Sequence, residues 1–207
     1  MSNSLSDEQK EFAKFLDRDF NQCFQQMRHY DGQALDIYKF SFTGYIAVVG
    51  VALALFKYGH EKGIDYSVPA ATILMVAALM GLILFALVVR NRVYFVRVSR
   101  YVNEHRRHFL ASKPLGFVNE TNIYTSPNLP QFFSWRSSQT FVLYLMAILN
   151  AFLLGVAVAI LCMSTCVEYL WPIVCGISLF GIQIVYVVLY LKSCEKKSSS
   201  TAAQGQG

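Results

Sequence analysis

Four stretches of this chain run without a single charged side chain for long enough to cross a bilayer: residues 40–56 (17 residues), 68–89 (22), 141–163 (23) and 169–191 (23). A hydrocarbon core ~30 Å thick takes about 20 apolar residues as a helix, so all four are read as spans. None alternates polar and apolar positions as a barrel strand does, and open strand edges are not tolerated in lipid. The expected fold class is an all-α integral membrane protein with four transmembrane helices. Only 15% of the residues are charged, against about 25% in an average soluble domain, so most of the chain is committed to the membrane.

Charge placement orients these spans. Sixteen of the 18 Lys and Arg lie before span one, between spans two and three, or in the tail; Lys57 and Lys62 are the two exceptions. By the positive-inside bias both termini and the long middle segment are expected in the cytoplasm, with loops 57–67 and 164–168 outside. The opening MSNSLSDEQKEF is polar, so no cleavable signal is expected and span one targets the chain. The expected location is the bacterial inner (plasma) membrane. Cys23, Cys162, Cys166, Cys175 and Cys194 are not placed as a disulfide framework, although a Cys166–Cys175 bridge is conceivable. The sequon at Asn119 falls on the cytoplasmic side and is read as plain loop.

Three extramembrane pieces are expected. Residues 1–38 form an acidic cytoplasmic helix. Its net charge is −3, a Ser6/Gln9 capping box opens it, and Phe12, Phe15, Leu16, Phe20, Cys23, Phe24, Met27 and Tyr30 line one face up to a stop at Asp31-Gly32. Residues 39–192 hold the spans, with a basic helix over 90–112 that prolongs span two, and a Pro-rich loop over 113–137. In the basic helix, Phe95, Val98, Val102, His105 and Phe109 make a stripe suited to the acidic helix. Phe132, Phe133 and Trp135 are expected in the interfacial aromatic belt, and residues 193–207 as a disordered tail.

Residues 90–107 carry more charge than orientation needs. Arg90 and Arg92 stand one turn beyond span two and are expected to hold anionic lipid headgroups. Arg97, Arg100, Arg106 and Arg107 lie farther out and need other partners. Glu11, Asp17 and Asp19 are the in-chain candidates, and an anionic cytosolic ligand such as a nucleotide is the external one.

Within the spans the only carboxamides are Asn150 and Gln183, at equal distances before and after a turn centred near Cys166, hence at one depth and placed to hydrogen-bond. Ala147, Ala151, Gly155 and Ala159 form a smooth ridge for close helix packing. No Asp, Glu, Lys, Arg or His lies inside a span, which argues against ion-coupled transport and intramembrane proteolysis. No nucleophile elbow, phosphate loop, dinucleotide fingerprint or zinc motif occurs. No cofactor, metal site, catalytic residue or nucleic-acid partner is expected.

The expected function is non-enzymatic: an oligomeric membrane scaffold or sensor whose cytoplasmic helix pair receives a protein partner or an anionic ligand. A channel or pore-forming effector is the alternative, and a lipid-modifying enzyme ranks last. In outline the chain resembles small membrane effectors of bacterial defence systems, a likeness of shape without a shared motif.

Overall fold

The computed structural model describes residues 7–111, 118–120, 124–165 and 170–204. Cys166, Lys113, Pro114 and Thr121, on which the bridge, the basic helix end, the loop and the sequon partly rest, lie outside the described residues. The described residues are helical apart from turns and loops: α1 (Asp7–Lys62), α2 (Ser67–Ala111), α3 (Ser138–Thr165) and α4 (Leu170–Gln204). Each contains a window apolar enough to cross a membrane. The protein is a multi-pass helical membrane protein.

Its surface is that of a chain solvated by lipid. Ile46, Leu79, Ile83, Phe152, Ile177, Ile182 and Leu189 are all more than half exposed. Side chains of this kind on every span would be an aggregation surface in water, and they carry no such cost in hydrocarbon.

α1 is one helix of 56 residues, so the expected stop at Asp31-Gly32 does not occur. A glycine inside a helix costs only about 1 kcal/mol relative to alanine. Burial of Ala34 and the packing of Ile37 and Tyr38 onto the core just beyond it offset that cost. The true stop is at Gly63, where φ is +68°. Here Ile64 N donates to Gly59 O at 2.9 Å and Gly63 N to His60 O at 3.4 Å, the paired bonds of a Schellman cap. Asp65 then caps α2: its Oδ1 accepts from Ser67 N at 2.9 Å and from Ser67 Oγ at 2.5 Å, and these bonds hold its carboxyl below the usual carboxylate range.

α2 has 45 residues, ~67 Å at 1.5 Å per residue, more than twice the hydrocarbon thickness. α1 packs along it, and α3 and α4 complete the bundle. The expected tail from Ser193 is also different, because α4 continues through Gln204. Two apolar cores result. One, near the Gly63 turn, holds Ala52, Ala71, Leu74, Leu153 and Ala157. The other, toward the arginines, holds Phe85, Val89, Val96, Leu143, Met146 and Leu191.

Candidate functional site

The polar groups gather at three levels along the bundle. In the membrane core, Tyr45 Oη donates to Asn150 Oδ1 at 2.7 Å, and Asn150 Nδ2 donates to Gln183 Oε1 at 2.8 Å. Gln183 Nε2 in turn reaches Leu179 O at 3.2 Å and Ala147 O at 3.4 Å. Asn150 is wholly buried and Gln183 nearly so. Asn150 and Gln183, at one depth by their positions around the hairpin turn, are thus hydrogen-bonded. Tyr45 was not expected beside them, because nothing in the sequence states which face of α1 meets α3. α2 joins at Gly81, where a Cβ would run into Tyr45 Oη and Asn150 Oδ1. All four helices therefore meet at one node whose donors and acceptors are matched.

The small-residue ridge is used inside the chain. Ala147 is fully buried and Ala151 nearly so. A Cβ on Gly176 of α4 would lie 3.2 Å from Ala151 O, and one on Gly155 would lie 3.3 Å from Pro172 O. The outer side of this crossing, with Ala159, is a shallow apolar groove of about 520 Å³.

At the second level, the arginines are divided among different tasks. Arg90 is exposed; it donates to Tyr94 Oη at 3.1 Å, and Tyr94 stacks on Tyr30 of α1. Arg92, expected among lipid headgroups, is 3% exposed and turned inward. Its Nε donates to Phe132 O at 3.1 Å, Nη1 to Gln139 Oε1 at 3.0 Å and Nη2 to Gln131 O at 2.7 Å. Gln139 Nε2 donates onward to Asp31 Oδ1 at 2.7 Å. Burial lowers the Arg92 pKa to about 10, against the raising effect of Asp31, so the guanidinium stays charged at neutral pH.

Arg100 was expected to face the acidic helix, but its carboxylate partner is Glu195 of α4, with Nη2 to Oε1 at 2.5 Å. Its Nε donates to Pro130 O at 3.1 Å, its Nη1 to Ser198 Oγ at 3.3 Å, and its guanidinium lies 4.6 Å from the centre of the Phe132 ring. The other Glu195 oxygen accepts from Phe132 N at 3.0 Å. Phe132, expected in the interfacial belt, is therefore 1% exposed beneath this clasp, whereas Trp135 stays outside. The α2–α3 connection is thus fastened to α2 and α4 by two arginines. Glu195 was hidden from sequence reasoning because it stood in a segment read as tail. The available signal was that it is the one acid after Glu120 on the basic side of the membrane pattern.

The third level is the outer end of the α1–α2 pair. Asp19 accepts from Tyr101 Oη at 3.0 Å and lies 3.6 Å from His105 Nε2, so the acidic helix meets α2 through these two side chains. The same bond raises the Tyr101 pKa, and burial followed by the Asp19 charge raises that of Cys23. Arg106 lies over the rings of Phe20 and Tyr124, and Arg97 and Arg107 are exposed. Beyond Asp19 the helices part around a half-open cavity of about 1030 Å³. Phe12, Leu16, Phe20, Phe109 and Leu110 supply its apolar wall; Asp17, Glu104, Arg106 and Arg107 supply its charges.

The chain matches no family model, no curated protein and no solved structure.

Proposed function

We propose that the protein is a non-enzymatic membrane scaffold or sensor. In this reading both termini and the α1–α2 overhang lie in the cytoplasm of a plasma membrane, copies associate into an oligomer, and the cavity at the end of the overhang receives an apolar segment of a cytosolic protein. The cavity is the observation that carries this reading. Its wall is chiefly aromatic and aliphatic, and its two carboxylates offset its two arginines. A nucleotide would gain little from such a balanced rim, whereas the apolar face of an amphipathic helix would bury area against it. Arg92 favours the same choice, since its donors are already engaged within the chain.

Two measurements test the reading together. Proteoliposomes of the purified protein should show no ion or dye flux above empty vesicles; conduction would favour the pore-forming alternative. In source cells, a photo-crosslinking residue at Phe109 should give one discrete adduct that Leu16→Asp removes, while a probe at lipid-facing Phe152 should not give it. An adduct at Phe109 that survives Leu16→Asp would remove the cavity from the account.

A further inference from the structure

The clasp around Arg100 contains one group that the scaffold reading does not use. Ser198 sits near the C-terminal end of α4, and its hydroxyl is held 3.3 Å from Arg100 Nη1. A neutral hydroxyl makes poor use of a guanidinium that is only 11% exposed and already shared with Glu195. A dianionic phosphate on the same oxygen would convert that contact into a charge-assisted one.

The surrounding sequence suits the transfer. Lys196 and Lys197, both exposed, stand immediately before Ser198, a cationic approach of the kind that basophilic serine kinases read with acidic side chains. Ser198, Ser199, Ser200 and Thr201 are weak helix formers, so drawing this end of α4 into the extended form that a kinase binds costs little.

We propose that Ser198 is a phosphorylation site and that Arg100 receives the phosphate. In the transfer, Ser198 Oγ bonds to the γ-phosphorus of ATP held by the kinase, the bond from that phosphorus to the β–γ bridging oxygen breaks, and ADP leaves. The hydroxyl proton passes to the carboxylate base of the kinase. The phosphate then shares Arg100 with Glu195, three residues earlier on the same helix. The two anions repel, so phosphorylation shifts the guanidinium toward Ser198 and weakens the hold of Glu195 on the backbone N–H of Phe132. In the cell this inference rests on the cytoplasmic placement of the tail; the test does not.

The full-length protein in detergent, incubated with a basophilic serine kinase and Mg-ATP, should take up phosphate at Ser198 by mass-spectrometric mapping, and Ser198→Ala should reduce incorporation at least tenfold. Phosphorus NMR then reads the contact. The second phosphate pKa, about 6 when unperturbed, should fall by about half a unit or more beside Arg100. Arg100→Gln should restore it. Arg100→Lys, which keeps a cation but loses the planar fork, should retain only part of the fall, so the contact is tested even if Arg100→Gln fails to fold. Incorporation only at Ser199 or Ser200, or an unshifted titration in the unmodified sequence, would overturn the proposal. Reporter fusions that place the tail outside would instead overturn the orientation and leave the chemistry standing.

Discussion

The sharpest constraints fall on single residues that touch groups unable to move. Gly81 is one. Its missing side chain lets Tyr45 and Asn150 close over α2, so Gly81→Ala must break the Tyr45–Asn150 bond or push α1 away. Overpacking and a lost buried hydrogen bond together cost roughly 2–4 kcal/mol. Gly50→Ala, where a Cβ meets nothing within 4 Å, should be neutral or mildly stabilising in the same thermal unfolding assay in detergent. Equal effects would mean that the node is not closed against α2. Arg92 is the second. Arg92→Met leaves Gln131 O, Phe132 O and Gln139 Oε1 without their donor and should cost about 2–4 kcal/mol. Arg92→Lys should rescue little, because one ammonium does not reproduce three donors in a planar fork. Full rescue by lysine would show that charge alone matters there. The sequence disclosed Asn150 and Gln183 because a short hairpin fixes which depths coincide. It could not disclose that Arg92 points inward, since the acceptors that draw it there lie about 40 residues away in a loop.

At the scale of helices, the four spans were legible because the cost of charge in lipid leaves a long, contiguous record. Helix ends outside the membrane were less so. Gly32 looked like a stop and Ser193 like the start of a tail, yet packing with distant elements carries the helix through both. This makes Gly32 a place where stability is easily gained. It is exposed, and a Cβ there meets nothing within 4 Å. Gly32→Ala should therefore stabilise the α1–α2 overhang by up to about 1 kcal/mol, seen as slower amide exchange in residues 20–40. Faster exchange would mean that α1 needs a hinge at this point. The Asp65 cap gives a pH signature of known sign. Its carboxyl is held down by Ser67 in the folded state, so the cap is intact above the ordinary carboxylate pKa and is lost as pH falls through the lowered value. Proteolysis or amide exchange at the start of α2 should quicken only in that acidic window, and Asp65→Asn should remove the dependence.

For the whole molecule, the unequal helix lengths matter most. α3 has 28 residues, ~42 Å, close to what a bilayer with its interfaces requires, while α1 with 56 residues and α2 with 45 are far longer. The excess does not extend at both ends, because the Gly63 cap and the Asp65 cap close α1 and α2 within a few residues of their apolar segments. It must all stand on the side where Asp19 meets Tyr101, Arg92 meets Gln139, and Arg100 meets Glu195. Those contacts join parts of all four helices, so that end of the bundle lies on one side of the membrane as a unit. In the orientation we propose from the positive-inside bias, that side is the cytoplasm. With the native cysteines replaced by serine or alanine, a single cysteine at Lys62 should react in intact cells with a membrane-impermeant maleimide. One at exposed Glu104 should react only after permeabilisation. Reaction of both in intact cells would break the four-span arrangement. Reversed accessibility would keep the bundle and invert it, leaving the overhang outside the cell and its cavity open to an extracellular partner.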